Sequence, residues 1–111
     1  MMNYVDFEAG NKTYKLRLNT RNLVMLEKQI GCNPLSIFGD GDTIPTVTTM
    51  VTILHASMQQ LEHGISLSDA YDIFDAYLVD HASTDFINVI MDIYKVSGLI
   101  PKDAGEEGKN A

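Results

Sequence analysis

The side chains best suited to metal or acid–base chemistry are His55, His63 and His81, the single Cys32, and the aspartates Asp69, Asp72 and Asp75, with Asp80 beside His81. Carboxylates bind a hard cation when several oxygens converge on one point. On a helix, the three-residue step from Asp69 to Asp75 spreads the carboxylates over about 120° of arc, so they form a solvated acidic face instead. His55 and His63 lie eight residues apart, about 12 Å of helical rise, and cannot share a metal. Neither belongs to a His-Glu-x-x-His pattern. His63 precedes Gly64, where a cation complements the end of a helix. A nucleophilic Cys32 needs an activating base or a helix N-terminus; Asn33-Pro34 does begin a helix just after it, but a small buried hydrophobe is the expected role. Gly39-Asp40-Gly41 lacks the Gly-Lys-Ser/Thr continuation of a phosphate loop. These residues imply no catalytic, cofactor or metal site, and the chain is expected not to be an enzyme.

The elements that would have to position any site fit one domain of 111 residues with 45% apolar and 21% charged side chains. Tyr4-Val5-Asp6-Phe7 alternates with period two, as do Tyr14, Leu16 and Leu18, and the turn between them is rich in Gly and Asn. This predicts an antiparallel hairpin with Lys15 and Arg17 on its outer face. A lone hairpin is marginally stable, so helices must cover its apolar face. Thr20 is the expected N-cap of a helix through Leu23, Leu26 and Ile30 to Gly31, and Asn33-Pro34 opens a short second one. A long helix is predicted from Pro45 to Gly64, with Val47, Met50, Val51, Leu54, Met58 and Leu61 as its apolar stripe. Ser66 and Asp69 form a capping box for a helix whose stripe is Leu67, Ala70, Tyr71, Phe74 and Leu78.

Ser83 or Thr84 caps a last helix whose polar residues Asp85, Asn88, Asp92 and Lys95 form one narrow line. The rest of its surface is apolar, which predicts either a central helix or one with a second partner. Its Met91, like Met50 and Met58 on the long helix, fits ordinary core filling or an adaptable binding groove. Gly98 and Pro101 end it, and residues 102–111 are expected to be a flexible polar tail. The expected fold is therefore α+β: an N-terminal β-hairpin packed on a bundle of four to five α-helices, with the domain over 1–101.

Charge narrows the partners. The net charge is -7, but residues 1–30 carry +2 and the remainder -9. Nucleic-acid binding requires clustered Lys and Arg, so no nucleic-acid partner is expected. The split favours self-association, with the basic start of one copy meeting the acidic helices of another. One cysteine forms no intrachain disulfide and no multi-cysteine zinc site. No apolar run reaches membrane-spanning length and the start has no basic segment followed by an apolar one, so no membrane is expected and the protein is expected to stay in the cytoplasm.

Several ordered strings resemble the tail assembly chaperones of long-tailed phages and prophages of Gram-positive bacteria. They are Tyr14-Lys15-Leu16-Arg17-Leu18, Leu26-Glu27-Lys28 with Gly31 and Asn33-Pro34-Leu35, Ile53-Leu54-His55-Ala56-Ser57, and Val89-Ile90-Met91-Asp92-Ile93 with Val96-Ser97-Gly98. The resemblance covers about residues 4–100 and contains no catalytic signature. It implies a protein that binds the tape-measure protein, holds it soluble in the host bacterial cytoplasm, helps recruit tail tube protein, and is absent from the mature virion. It also implies that this chain is the short form of a product that ribosomal frameshifting extends. Ile87, Met91 and Tyr94 on the last helix are the expected partner contacts. The alternatives are a small virion protein such as a head-tail connector or tail-completion protein, and a helix-turn-helix regulator. The latter would need a basic recognition helix, which no segment after residue 31 supplies.

Overall fold

The computed structural model describes residues 3–39 and 43–103. Two strands, β1 (Val5–Ala9) and β2 (Lys12–Leu16), precede four helices, α1 (Thr20–Ile30), α2 (Val47–Met58), α3 (Leu67–Asp80) and α4 (Phe86–Val96). Single 3₁₀ turns at Pro34–Phe38 and Ser83–Asp85 lie before α2 and α4. The fold is α+β, a hairpin on four helices, as the sequence predicts. The predicted tail at 102–111 lies mostly outside the described residues, as does the loop at 40–42.

The hairpin pairs antiparallel with Phe7 opposite Tyr14 and Ala9 opposite Lys12. That register leaves a two-residue turn at Gly10-Asn11. Gly10 has φ 63, the positive value a type II′ turn needs at its first central position. Phe7, Ala9, Leu16 and, just past the strand, Leu18 are buried on one face, while Asp6, Glu8 and Lys15 are exposed on the other. The chain leaving β2 is tied down twice. Arg17 N–H donates to the Ser57 carbonyl on α2 at 2.8 Å, and Leu18 N–H donates to Ser97 Oγ after α4 at 2.9 Å. Backbone groups next to a fully packed leucine would otherwise be desolvated without partners.

The helix ends differ in detail from the sequence reading. Asn19, not Thr20, caps α1, its Oδ1 accepting from Asn22 N–H at 2.9 Å. Gly31 ends α1 in the left-handed region, as expected. Asn33 does cap the next segment, but that segment is a 3₁₀ turn. Thr46 caps α2, which stops at Met58 rather than running to Gly64. There Gln59 turns its amide back, with Nε2 donating to the carbonyls of His55 and Ile65. This ties the end of α2 to the chain that leads into α3. The Ser66–Asp69 capping box is present. Before α4 the capping contact comes not from Ser83 or Thr84 but from Asp85, whose Oδ2 accepts from Ala82 N–H at 2.9 Å.

The central helix is α2, not α4. Met50, Val51, Ile53, Leu54, Ala56, Ser57 and Met58 are all buried, covering more than half the circumference at about 100° per residue. It packs against α1, α3, α4 and β2. The wide apolar arc of α4 has a simpler use: Phe86, Ile90, Ile93 and Tyr94 are buried, and Ile87 and Val89 pack on the edge of the same core. Phe7, Phe74, Tyr77 and Phe86 meet there, with Phe86 edge-on to the other three rings at centroid separations of 5.3–5.8 Å. Edge-to-face rings add to simple area burial, so this cluster locks the hairpin, α3 and α4 together.

Candidate functional site

The residues with chemical potential divide among a helix cap, a stacked ring pair and exposed positions. Asp69 serves the α3 cap: Ser66 N–H donates to its Oδ2 at 2.9 Å. That bond, with a second from the Ser66 side chain, holds its carboxyl below the ordinary carboxylate range. Asp72 and Asp75 are exposed along α3. His55 is half-buried on α2 and His63 is exposed in the turn after it. Because α2 ends at Met58, His63 is not in its last turn and the expected dipole role falls away. His81 stacks on Tyr77 with ring centroids 4.4 Å apart, and its Nδ1 lies 3.9 Å from Asp85 Oδ2. Burial, and then the Asp85 charge, raise the Tyr77 hydroxyl above its usual range. Among the described residues, no three His, Cys, Asp or Glu side chains are placed to hold a metal ion. None of the helices described is long and apolar enough to cross a membrane.

Two sequence expectations are corrected. Cys32 is exposed rather than buried, because it follows the left-handed Gly31 where the chain leaves α1 for the next cap. Tyr94 is not a surface residue: it is fully buried, and its hydroxyl donates to the Pro34 carbonyl at 2.8 Å. Burial first, then the nearby Cys32, push that hydroxyl well above the ordinary tyrosine range. Phe38 meets the same ring edge-on. Tyr94 is thus a strut between α4 and the Pro34–Phe38 turn. Ile87 and Met91 remain half-exposed on the flank of α4.

The surface instead presents apolar side chains elsewhere. On α3, Leu67, Tyr71 and Leu78 are 43, 51 and 38% exposed, although the sequence pattern places all three in the buried stripe. The residues that do face the core are Ala70, Ile73, Phe74 and Tyr77. Including Ile73 and Tyr77 in the pattern would have rotated the predicted stripe and freed the other three. Val79 is 80% exposed. On α1, Val24 and Met25 are exposed beside Arg21 and Lys28. Met25 also borders a shallow groove between α1 and α2, floored by Ala56 and edged by Asn22, Gln29 and His55.

The arrangement offers apolar contact bordered by charge. No curated protein and no solved structure matches the chain. Residues 4–111 match DUF6096, a family of unknown function, and the chain belongs to that family.

Proposed function

We propose that this protein is a phage tail assembly chaperone, a non-enzymatic protein that binds the tape-measure protein and helps recruit tail tube protein during tail morphogenesis. The observation that supports this reading is the set of apolar side chains lying exposed on the helices of an acidic domain whose titratable groups are engaged in caps and ring stacking or stand apart. A protein that must hold a long helical client soluble needs apolar contact surface it can reuse and net charge to keep the complex dispersed. The ordered strings from Tyr14 to Gly98 that resemble this class of chaperone add to the reading. Ile87 and Met91 on α4 are the proposed client contacts; Tyr94 takes no part, because its ring and hydroxyl are occupied inside the domain.

The test is coexpression with a cognate tape-measure protein followed by pull-down. A soluble complex is expected. Met91→Asp should lose the client while keeping its circular dichroism spectrum, since Met91 is only half-buried. Failure of the wild-type chain to form any soluble complex would overturn the proposal. Mass spectrometry of purified particles should find the protein absent; stoichiometric presence would identify a connector or tail-completion protein instead.

A further inference from the structure

The outer faces of α1 and α3 are complementary to each other and cannot meet within one molecule. Around α1, Val24, Lys28, Arg21 and Met25 follow one another over about 100° of arc, all exposed. Arg21 and Lys28 stand two turns apart, about 10 Å, so two cations are bracketed by two apolar side chains. Around α3, Leu67, Leu78 and Tyr71 lie within about 40°, and Asp75, Val79 and Asp72 continue over the next 100° or so. These are exposed as well, so two carboxylates border an apolar strip. No Lys or Arg occurs between Lys28 and Lys95, so nothing on α3 neutralises Asp72 and Asp75 from its own helix.

The helix α2 packs against both α1 and α3. Leu26 of α1 and Ala70, Ile73, Phe74 and Tyr77 of α3 are the inward residues, which turns the two outer faces away from the core on different elements. The match can therefore be satisfied only between molecules.

We infer that a second copy of this chain docks its α1 face, through Arg21, Val24, Met25 and Lys28, onto the α3 face formed by Tyr71, Asp72, Asp75 and Leu78. Opposite charges fix the pairing while the apolar side chains supply burial. Met reciprocally across a twofold axis, the match closes a dimer; met head to tail, it builds a ring or an open array according to whether the rotation closes. A second copy is favoured over an unrelated partner because one sequence carries both halves of the match. Copies with a net charge of -7 repel at long range, and only a face of opposite sign offsets that locally. The inference does not depend on the proposed chaperone role; loss of client binding leaves it intact.

The experiment is sedimentation velocity over a concentration series with two double variants. Arg21→Glu with Lys28→Glu makes both faces acidic, and Asp72→Lys with Asp75→Lys makes both basic. Each variant alone should associate at least about tenfold more weakly than wild type, roughly 1.4 kcal/mol. An equimolar mixture should regain association, because each acidic face then meets a basic one. The second variant is decisive on its own. It lowers the net charge from -7 to -3, so association governed by overall repulsion would strengthen. All four positions are exposed, and unchanged circular dichroism verifies that the fold persists. A wild-type chain that stays monomeric at millimolar concentration, a lysine variant that associates more tightly, or a mixture no different from its components would each overturn the inference.

Discussion

Replacing Tyr94 by Phe tests whether this residue is a structural strut or a surface contact. The substitution keeps the ring, which is 0% exposed and packs edge-on to Phe38 at 6.5 Å, and deletes only the hydroxyl that donates to the Pro34 carbonyl at 2.8 Å. A net hydrogen bond contributes about 0.5–1.5 kcal/mol, and leaving a buried carbonyl unpaired costs about 1–3 kcal/mol. Part of that is recovered because Phe carries no hydroxyl to desolvate, so a loss of about 1–2 kcal/mol is expected. In a domain of this size, that corresponds to a melting temperature lower by roughly 5–10 °C. Urea unfolding followed by circular dichroism should show a lower midpoint at unchanged slope, since the area exposed on unfolding is the same. Hydrogen exchange should localise the effect, with the amides of Ser36 and Gly39, which close the Pro34–Phe38 turn, exchanging faster than those of α2. Client binding should be unaffected at temperatures where the variant is folded. A Tyr94→Phe protein as stable as wild type within about 0.3 kcal/mol would refute the argument, and so would a selective loss of partner binding at full stability.

Ser97→Ala removes the acceptor of the Leu18 N–H beside a leucine only 1% exposed. It should cost about 1–3 kcal/mol in urea unfolding, with the Leu18 amide losing protection first; an unchanged midpoint would mean that another group caps this N–H. The α3 capping box adds a pH dependence. Its hydrogen bonds depress the folded-state pKa of Asp69 below the unfolded value, so its stabilisation is complete above that unfolded value, about 4. It is lost as pH falls through the lower folded value. The stability difference between wild type and Asp69→Asn should therefore shrink between pH 5 and pH 2, measured as urea midpoints, and a constant difference would contradict this origin.

The hairpin, the α1 terminator, the Asn33 cap and the Ser66–Asp69 box were legible in the sequence because each depends on residues within a few positions of one another. A positive-φ Gly beside a turn, or a short polar side chain two or three residues before its N–H partner, carries its own instruction. Faces were harder to read. Leu67, Tyr71 and Leu78 share a helical stripe as well as Ala70, Ile73, Phe74 and Tyr77 do, and only packing against Phe7 and Phe86 selects the second set. The same holds for α2 and α4: both are rich in apolar residues, and which lies at the centre depends on how many elements gather around it.

By itself the sequence determined the α+β class and the division of charge between the first 30 residues and the rest, since these follow from composition and from fixed spacing along the chain. Only the tertiary structure decided that Tyr94 is sealed against Pro34, that Cys32 is exposed, and that the apolar strips of α1 and α3 face outward. Burial is a property of neighbours brought together from distant parts of the chain. Tyr94 and Pro34 are 60 residues apart, a separation over which local periodicity carries no information.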